Sequence, residues 1–258
     1  MTNKDLITQY VDTGLPIPRY QFDKLSNNDK KTYLRKMEMA INHDPDKIKY
    51  YYGEYPESVQ LSVVKKDPSF IESIENPSEG VQLAAVKNHG QVIGLIKNPS
   101  EEVQLAAVKN DGLAIVHIIN KGVKPSEEVQ LAAVNNDFYA IEYIENPSEE
   151  VQLAAVNKYG TAIGYIENPS ESIQLAAVNK DGTTIRYIKN PSEEVQLAAV
   201  KNNGQAIQNI QWKGIYPSEE VQLAAINQHY SALKYIENPT ERVKTLAKDL
   251  YMEYKRNR

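Results

Sequence analysis

The sequence predicts an all-α protein: an elongated α-solenoid (superhelix) of about ten two-helix units, with capping helices at both ends. The first observation is a hexapeptide, V-Q-L-A-A-V, that recurs unchanged at Val81–Val86, Val103–Val108, Val129–Val134, Val151–Val156 and Val195–Val200. The second is a proline that opens each unit, at Pro56, Pro77, Pro99, Pro125, Pro147, Pro169, Pro191, Pro217 and Pro239. The usual spacing is 22 residues, with two spacings of 26, and this regularity excludes an ordinary globular fold.

The sequence of each unit predicts a first helix, which contains the hexapeptide. In the unit at Pro99, Asn98 is the expected N-cap, Pro99 suits the first helical position, and Glu101 completes a capping box. The five apolar side chains of Val103–Val108 cover most of the helix circumference, which predicts burial on several sides between neighbouring units. Gly112 is the expected left-handed C-cap.

A shorter second helix follows in each unit. In Leu113–Ile118, Ile115 and Ile118 lie one turn apart and predict a single buried face. A segment this short can be α or 3₁₀, and the sequence leaves both open.

The two ends of the chain predict caps. Ser26–Ile41 predicts a longer helix, Asp44–Tyr52 an irregular second helix, and the first 25 residues a helical lead-in that breaks at Pro16 and Pro18. At the other end, apolar residues recur with helical spacing on one side only: Val243, Leu246, Ala247, Leu250, Tyr251 and Tyr254. We therefore divide one continuous solenoid domain into a lead-in with a degenerate capping unit (1–55), tandem repeats (56–238) and a C-terminal capping helix (239–258).

The run N-P-S-E-E-V-Q-L-A-A-V-K-N-D-G resembles short α-helical repeats of bacteria and large viruses. It is most similar to an uncharacterised repeat family typified by L-A-A-V-K-x-x-G, over roughly residues 56–248, and more loosely to variant leucine-rich and HEAT-like repeats. Variant leucine-rich repeats carry a basic residue where Gln104 stands, and HEAT units are nearly twice as long. The resemblance implies the fold and transfers no functional residue.

Composition argues against several functions. The chain has no cysteine, and its four histidines lie in different units, so we expect no metal, no cofactor and no enzyme activity. His43-Asp44-Pro45-Asp46 is a turn between helices rather than a metal site. The paired glutamates of P-S-E-E recur as helix-start features. The longest apolar runs are far too short to span a bilayer, and we expect a cytoplasmic protein without membrane contact.

Variation among the units indicates a binding surface, because the first helix hardly changes while chosen positions of the second do. The variable positions form three rows, of which the third is mostly tyrosine. Random sequence change at solvent-exposed positions explains the variation at any single position equally well. A tyrosine beside an isoleucine can also simply cover the groove between two units. The rows give these candidate partner-binding residues: Tyr139, Tyr143, Tyr165, Arg186, Tyr187 and Tyr235.

The two 26-residue units carry a second candidate, which we call the Lys-Gly loops. Each has four extra residues around Lys-Gly, at 119–124 and at 211–216. Duplication of a block of the sequence explains why there are two such loops. Because they project, the loops could also bind a partner. Their candidate binding residues are Lys121, Lys124, Trp212, Lys213 and Tyr216.

We hypothesise a non-enzymatic scaffold that binds a protein partner through the second-helix rows and the Lys-Gly loops. The near-identical copies indicate recent expansion, as in mobile or viral genes, and favour a phage or bacterial accessory protein that blocks a host defence factor. The alternative is a nucleic-acid or nucleotide-binding solenoid. The net charge of −5 opposes it, although basic residues gather in the tail Arg242–Arg258. The sequence does not specify the oligomeric state.

Overall fold

The computed structural model describes residues 2–13, 17, 19–44 and 56–257. Throughout these residues the regular secondary structure is helical, without a strand, and successive helix pairs contact each other. The predicted all-α tandem-repeat solenoid is therefore confirmed. The chain divides into two compact units, Met1–Val129 and Gln130–Arg258, which are described separately. We number the repeats 1 to 9 from their opening prolines and name the two helices of each repeat first and second.

The first unit begins with helices Asn3–Thr13, Arg19–Phe22 and Asn27–His43. Ser26 caps the third helix by accepting the N–H of Asp29, which confirms the helix predicted there. Three first helices follow: Glu57–Lys66, Glu79–Asn88 and Glu101–Asn110. The second helices are Pro68–Ser73, Gly90–Leu95 and Gly112–Ala114 continued by Ile115–Asn120. The breaks predicted at Pro16 and Pro18, and the irregular helix predicted after Asp44, lie outside the described residues.

The second unit starts inside the first helix of repeat 4, Glu127–Asn136. Its other first helices are Glu149–Lys158, Glu171–Lys180, Glu193–Asn202, Glu219–Gln228 and the longer Glu241–Arg256. Its second helices are Phe138–Tyr143, Gly160–Tyr165, Gly182–Tyr187, Ala206–Gln211 and Tyr230–Tyr235. The last helix buries Val243 and Ala247 and leaves Tyr251 and Tyr254 exposed, with both rings against Tyr230. The predicted apolar face is therefore packed only in its first part, at Val243 and Ala247, whereas Tyr251 and Tyr254, predicted on the same face, are exposed.

The core of each repeat comes from three of the five apolar hexapeptide positions. In repeat 5 these are Val151, Ala155 and Val156, which have no exposed surface. Leu153 and Ala154 are only half-buried, so the predicted burial on several sides is incomplete. The Leu–Ala side lines shallow clefts between neighbouring first helices, such as one of about 420 Å³ beside Leu197 and Leu223.

The predicted N-cap is wrong by two residues. The first helix of repeat 3 begins at Glu101, and its cap is Ser100, whose hydroxyl oxygen accepts the Val103 N–H at 3.4 Å. Contacts outside the helix select the serine. The Ser100 hydroxyl donates to Glu79 of the preceding repeat, and the Gln104 amide donates to the Pro99 carbonyl at 3.1 Å. The first glutamate of P-S-E-E thus links consecutive repeats.

The predicted left-handed glycine C-cap is also wrong. The cap of the same helix is Asp111 in an extended conformation, and Gly112 begins the second helix. In the repeats that have glycine here, the next repeat comes close. A Cβ on Gly182 would lie 2.3 Å from the Ala199 carbonyl oxygen.

The second helix depends on repeat length. In the described 22-residue repeats it is a six-residue 3₁₀ helix, whereas the 26-residue repeats contain the α-helices Ile115–Asn120 and Ala206–Gln211. Side chains three residues apart superimpose in a 3₁₀ helix, so the I-x-x-I pattern buries both isoleucines in either form. Ile115 and Ile118 are fully buried, as predicted.

Candidate binding surface

Repeats 4 to 6 carry a continuous group of aromatic side chains, which we call the aromatic cluster: Phe138, Tyr139, Tyr159, Tyr165 and Tyr187. The Phe138 ring centroid lies 4.1 Å from that of Tyr139 and 4.7 Å from that of Tyr159. Tyr139 meets Tyr165 edge to face at 5.6 Å. Tyr187 adds an exposed ring from repeat 6, which lies beside Gly164 of repeat 5.

The tyrosines of the aromatic cluster are exposed, although Tyr139, Tyr159 and Tyr165 pack against other rings of the cluster. The exposed fractions are 45% for Tyr139, 52% for Tyr159, 39% for Tyr165 and 44% for Tyr187. Ring contacts hold these side chains in place, so little conformational entropy is lost when they bind. An exposed group of large apolar side chains is the kind of surface that marks an interaction site.

Departures from the repeat pattern build the aromatic cluster. Phe138 stands where repeats 5 and 6 have Gly160 and Gly182, and Tyr159 stands where repeats 4 and 6 have the capping aspartates Asp137 and Asp181. Gly164 leaves room for the next ring, since a Cβ there would lie 3.3 Å from Tyr187. Phe138 and Tyr159 were missed from the sequence; the signal was an aromatic residue at a position that is glycine or aspartate in other repeats.

Charge changes sign along the second helices of these repeats. Glu142, Glu145 and Glu167 are exposed in repeats 4 and 5, whereas Arg186 and Lys189 are exposed in repeat 6. The Arg186 guanidinium lies 4.9 Å from the Tyr187 ring centroid, within the range of a cation–π interaction. The surface therefore has an acidic end and a basic end.

The Tyr165 phenol is held protonated. Partial burial, followed by the nearby Tyr139 and Glu142 and a hydrogen bond with Tyr139, raises the pKa of Tyr165 above its usual value near 10. Its hydroxyl is therefore a hydrogen-bond donor at every physiological pH.

We expect a pH effect on stability from this phenol. Above about pH 10 the unfolded chain loses the Tyr165 proton first, so the free energy of unfolding falls as the pH rises. The Tyr165→Phe variant should show a smaller fall between pH 9 and pH 11. Denaturant titrations of both proteins measure this difference, and a ¹³Cζ resonance of Tyr165 that titrates below pH 10 would contradict it.

Two other predicted row residues lie outside the aromatic cluster. Tyr143 is exposed, but its ring makes no contact with the cluster rings. Tyr235 is half-buried beneath the Lys234 ammonium, which lies 4.6 Å from its ring centroid. Tyr235 thus covers the surface of its own repeat, as the simpler interpretation of the tyrosine row expects.

The Lys-Gly loops are exposed. In the second unit, Trp212 is 74% and Tyr216 76% exposed, and burial lowers the pKa of the half-buried Lys213 ammonium. In the first unit, Lys121 and Lys124 are exposed. Both loops turn at a glycine with positive φ, Gly122 at 75° and Gly214 at 73°, where other residues are strained.

Other kinds of site find no support in the described residues. No group of three or more histidine, aspartate or glutamate side chains could hold a metal ion there. His229 caps a helix, since its Nδ1 accepts the Ser231 N–H at 3.1 Å. No helix in the described ranges is long and apolar enough to cross a membrane. Comparisons of the chain with known protein families, curated proteins and solved structures found no match.

Proposed function

We propose that the protein is a non-enzymatic repeat scaffold that binds a protein partner through the aromatic cluster. The observation that supports this is the exposure of four tyrosines, three of which (Tyr139, Tyr159 and Tyr165) are joined by ring contacts with each other or with Phe138. Tyrosine is favoured at binding hot spots because it offers a large, rigid contact area and a hydroxyl group. The constant first helices supply the stack, and the varied second helices supply the contact.

Charge favours a protein over a nucleic acid as the partner. Glu142, Glu145 and Glu167 are exposed in repeats 4 and 5, which carry most of the cluster, and would repel phosphate groups. Successive tyrosines of one row are a whole repeat apart, about 8–10 Å, which is too far for stacking on consecutive bases. The nucleic-acid alternative therefore has less support.

Trp212 is a second contact in this proposal. Its indole is the largest exposed apolar side chain on the Lys-Gly loop of repeat 7. The amide of Gln211, suitably oriented, donates to the Tyr235 carbonyl and accepts from the Glu237 N–H, so the loop base is tied to repeat 8. A fixed base makes Trp212 a suitable anchor. Blocking a host factor is the role that we propose for such binding.

The test is affinity capture with the full chain, followed by a binding measurement on the purified partner. The cluster variant carries Tyr139→Ser, Tyr165→Ser and Tyr187→Ser, and the control is Tyr20→Ser, an exposed tyrosine of the first unit. We expect the cluster variant to weaken binding at least 100-fold, about 2.7 kcal/mol. The Trp212→Ser variant should weaken it about tenfold.

The outcomes separate the alternatives. A partner lost with the cluster variant but kept by Tyr20→Ser supports the proposal, provided that both variants keep wild-type helical circular dichroism. A protein partner that the cluster variant binds at full strength contradicts the proposal. Nuclease-sensitive recovery of RNA or DNA would favour the nucleic-acid alternative.

A further inference from the structure

The tyrosine row Tyr143, Tyr165 and Tyr187 recurs at intervals of one repeat within the second unit. The second helices of repeats 4, 5 and 6 contact each other in order, so the three tyrosines stand on adjacent, packed segments. Packed helices lie about 8–10 Å apart, which sets the spacing of the row. Each tyrosine is exposed.

A polyproline II helix has nearly the same period. It has three residues per turn and rises about 3.1 Å per residue, so every third side chain lies on the same side, about 9 Å further along. If a proline-rich segment lay across the second helices, one of its turns would therefore contact each tyrosine. No other regular chain conformation has this match, because an α-helix repeats at 5.4 Å and a strand at about 6.6 Å.

Two consecutive second helices of the first unit border a cleft. Between repeats 1 and 2, in the first unit, a cleft of about 630 Å³ is lined by the segment Ile71–Pro77 and by Leu95. Tyr165 and Tyr187 occupy the position of Leu95 in their own repeats. In repeats 5 and 6 the position that lines this cleft is therefore aromatic, and aromatic side chains line the surfaces onto which proline-rich segments dock.

Hydrogen bonding fits the same ligand. The backbone carbonyls of a polyproline II helix have no internal partners. The row supplies exposed tyrosine hydroxyls, which can donate to such carbonyls. A helical ligand offers no such carbonyls along its length, since its own N–H groups use them.

The charges beside the tyrosine row indicate which charges the two ends of the ligand should carry. Glu142, Glu145 and Glu167 favour a basic flank beside repeats 4 and 5, whereas Arg186 and Lys189 favour an acidic flank beside repeat 6. A polyproline II helix looks similar from either end, so charged flanks would fix how it lies on the surface.

We propose that the tyrosine row of repeats 4 to 6 binds a proline-rich segment in the polyproline II conformation, with a basic flank at repeat 4 and an acidic flank at repeat 6. This inference rests on the proposed protein-binding function and names the chemistry of the partner. One turn of the segment lies against each of Tyr143, Tyr165 and Tyr187.

The test uses fluorescence anisotropy with the full chain and a synthetic peptide. The peptide has two arginines, a central run with proline at every third position, and two aspartates. The control peptide has the same charges with alanine in place of every proline. We expect the proline peptide to bind at least tenfold more tightly than the control, and the double variant Tyr165→Ser, Tyr187→Ser to lose at least tenfold in affinity. Tyr20→Ser should bind like the wild type.

Charge reversal checks the orientation. Glu142→Arg should weaken the peptide several-fold at low ionic strength, and the difference should shrink as salt is added. Equal binding of the two peptides would overturn the inference, because charge alone would then account for it. An unchanged affinity in the double tyrosine variant or in Glu142→Arg at low salt would overturn it as well.

Failure of this inference differs from failure of the proposed function. If neither peptide binds at about 1 mM, a strength of about 4 kcal/mol, the polyproline inference is wrong. The proposed function still stands in that case if a captured protein is lost with the variant of Tyr139, Tyr165 and Tyr187. If that captured protein binds the variant normally, the aromatic cluster is not the binding surface and both proposals fall.

Discussion

The Gly182→Ala variant is expected to lose about 1–3 kcal/mol in free energy of unfolding, the cost of overfilling a packed site. The added Cβ would lie 2.3 Å from the Ala199 carbonyl oxygen and 3.1 Å from the Asn203 nitrogen. Both are backbone atoms at the end of the next first helix, so no side-chain rotation relieves the clash. Repeats 6 and 7 must move apart, and the buried contacts between them weaken.

The same substitution at Gly80 is the matched control. Gly80 lies in the first helix of repeat 2, where a Cβ would meet only side-chain atoms, the Glu57 carboxylate at 3.1 Å and the Ser78 hydroxyl at 3.8 Å. Alanine is the better helix former by about 1 kcal/mol, so Gly80→Ala should be neutral or stabilising. Urea titration followed by circular dichroism measures both variants. Equal midpoints for wild type and Gly182→Ala would show that the repeats tolerate the extra atom.

Repetition alone was enough to predict the fold class, because a recurring hexapeptide that cannot bury its apolar face alone requires stacking. The caps were wrong for a physical reason. In Asn98-Pro99-Ser100 both the asparagine and the serine can cap a helix, and local rules do not choose between them. The choice comes from Glu79 in the preceding repeat, which accepts the Ser100 hydroxyl. A contact between repeats is invisible to rules that consider one helix at a time.

The candidate site was predicted in part. The variable rows identified Tyr139, which differs from its counterparts, and Tyr165 and Tyr187, which belong to the row that is mostly tyrosine. They missed Phe138 and Tyr159, which lie at positions expected to end one helix and begin the next. Aromatic rings there join side chains of two repeats. Variation at one position of the repeat carries no information on contacts between side chains at different positions.

Asn202→Ala is expected to destabilise the protein by about 1–3 kcal/mol, because it leaves two backbone groups of the preceding repeat without their partner. The Asn202 amide nitrogen donates to the Asn179 carbonyl at 2.9 Å, and its oxygen accepts the Gly182 N–H at 2.8 Å. The carbonyl belongs to the last turn of a helix, where no intrahelical donor is available. Asn110 makes the same bridge to Lys87 and Gly90, so this is a recurring joint between repeats.

Lys180→Ala is the control, since Lys180 holds the equivalent exposed position in repeat 6 without this bridge. It should change the free energy of unfolding by less than about 0.5 kcal/mol. Hydrogen exchange can locate the effect: in Asn202→Ala the Gly182 amide should exchange faster, while amides in repeat 9 stay as protected as in the wild type. Uniformly faster exchange would instead mean that Asn202 stabilises the unit as a whole. Unchanged Gly182 protection would mean that solvent replaces the bridge at no cost, and that stacking of the valines and alanines alone joins the repeats.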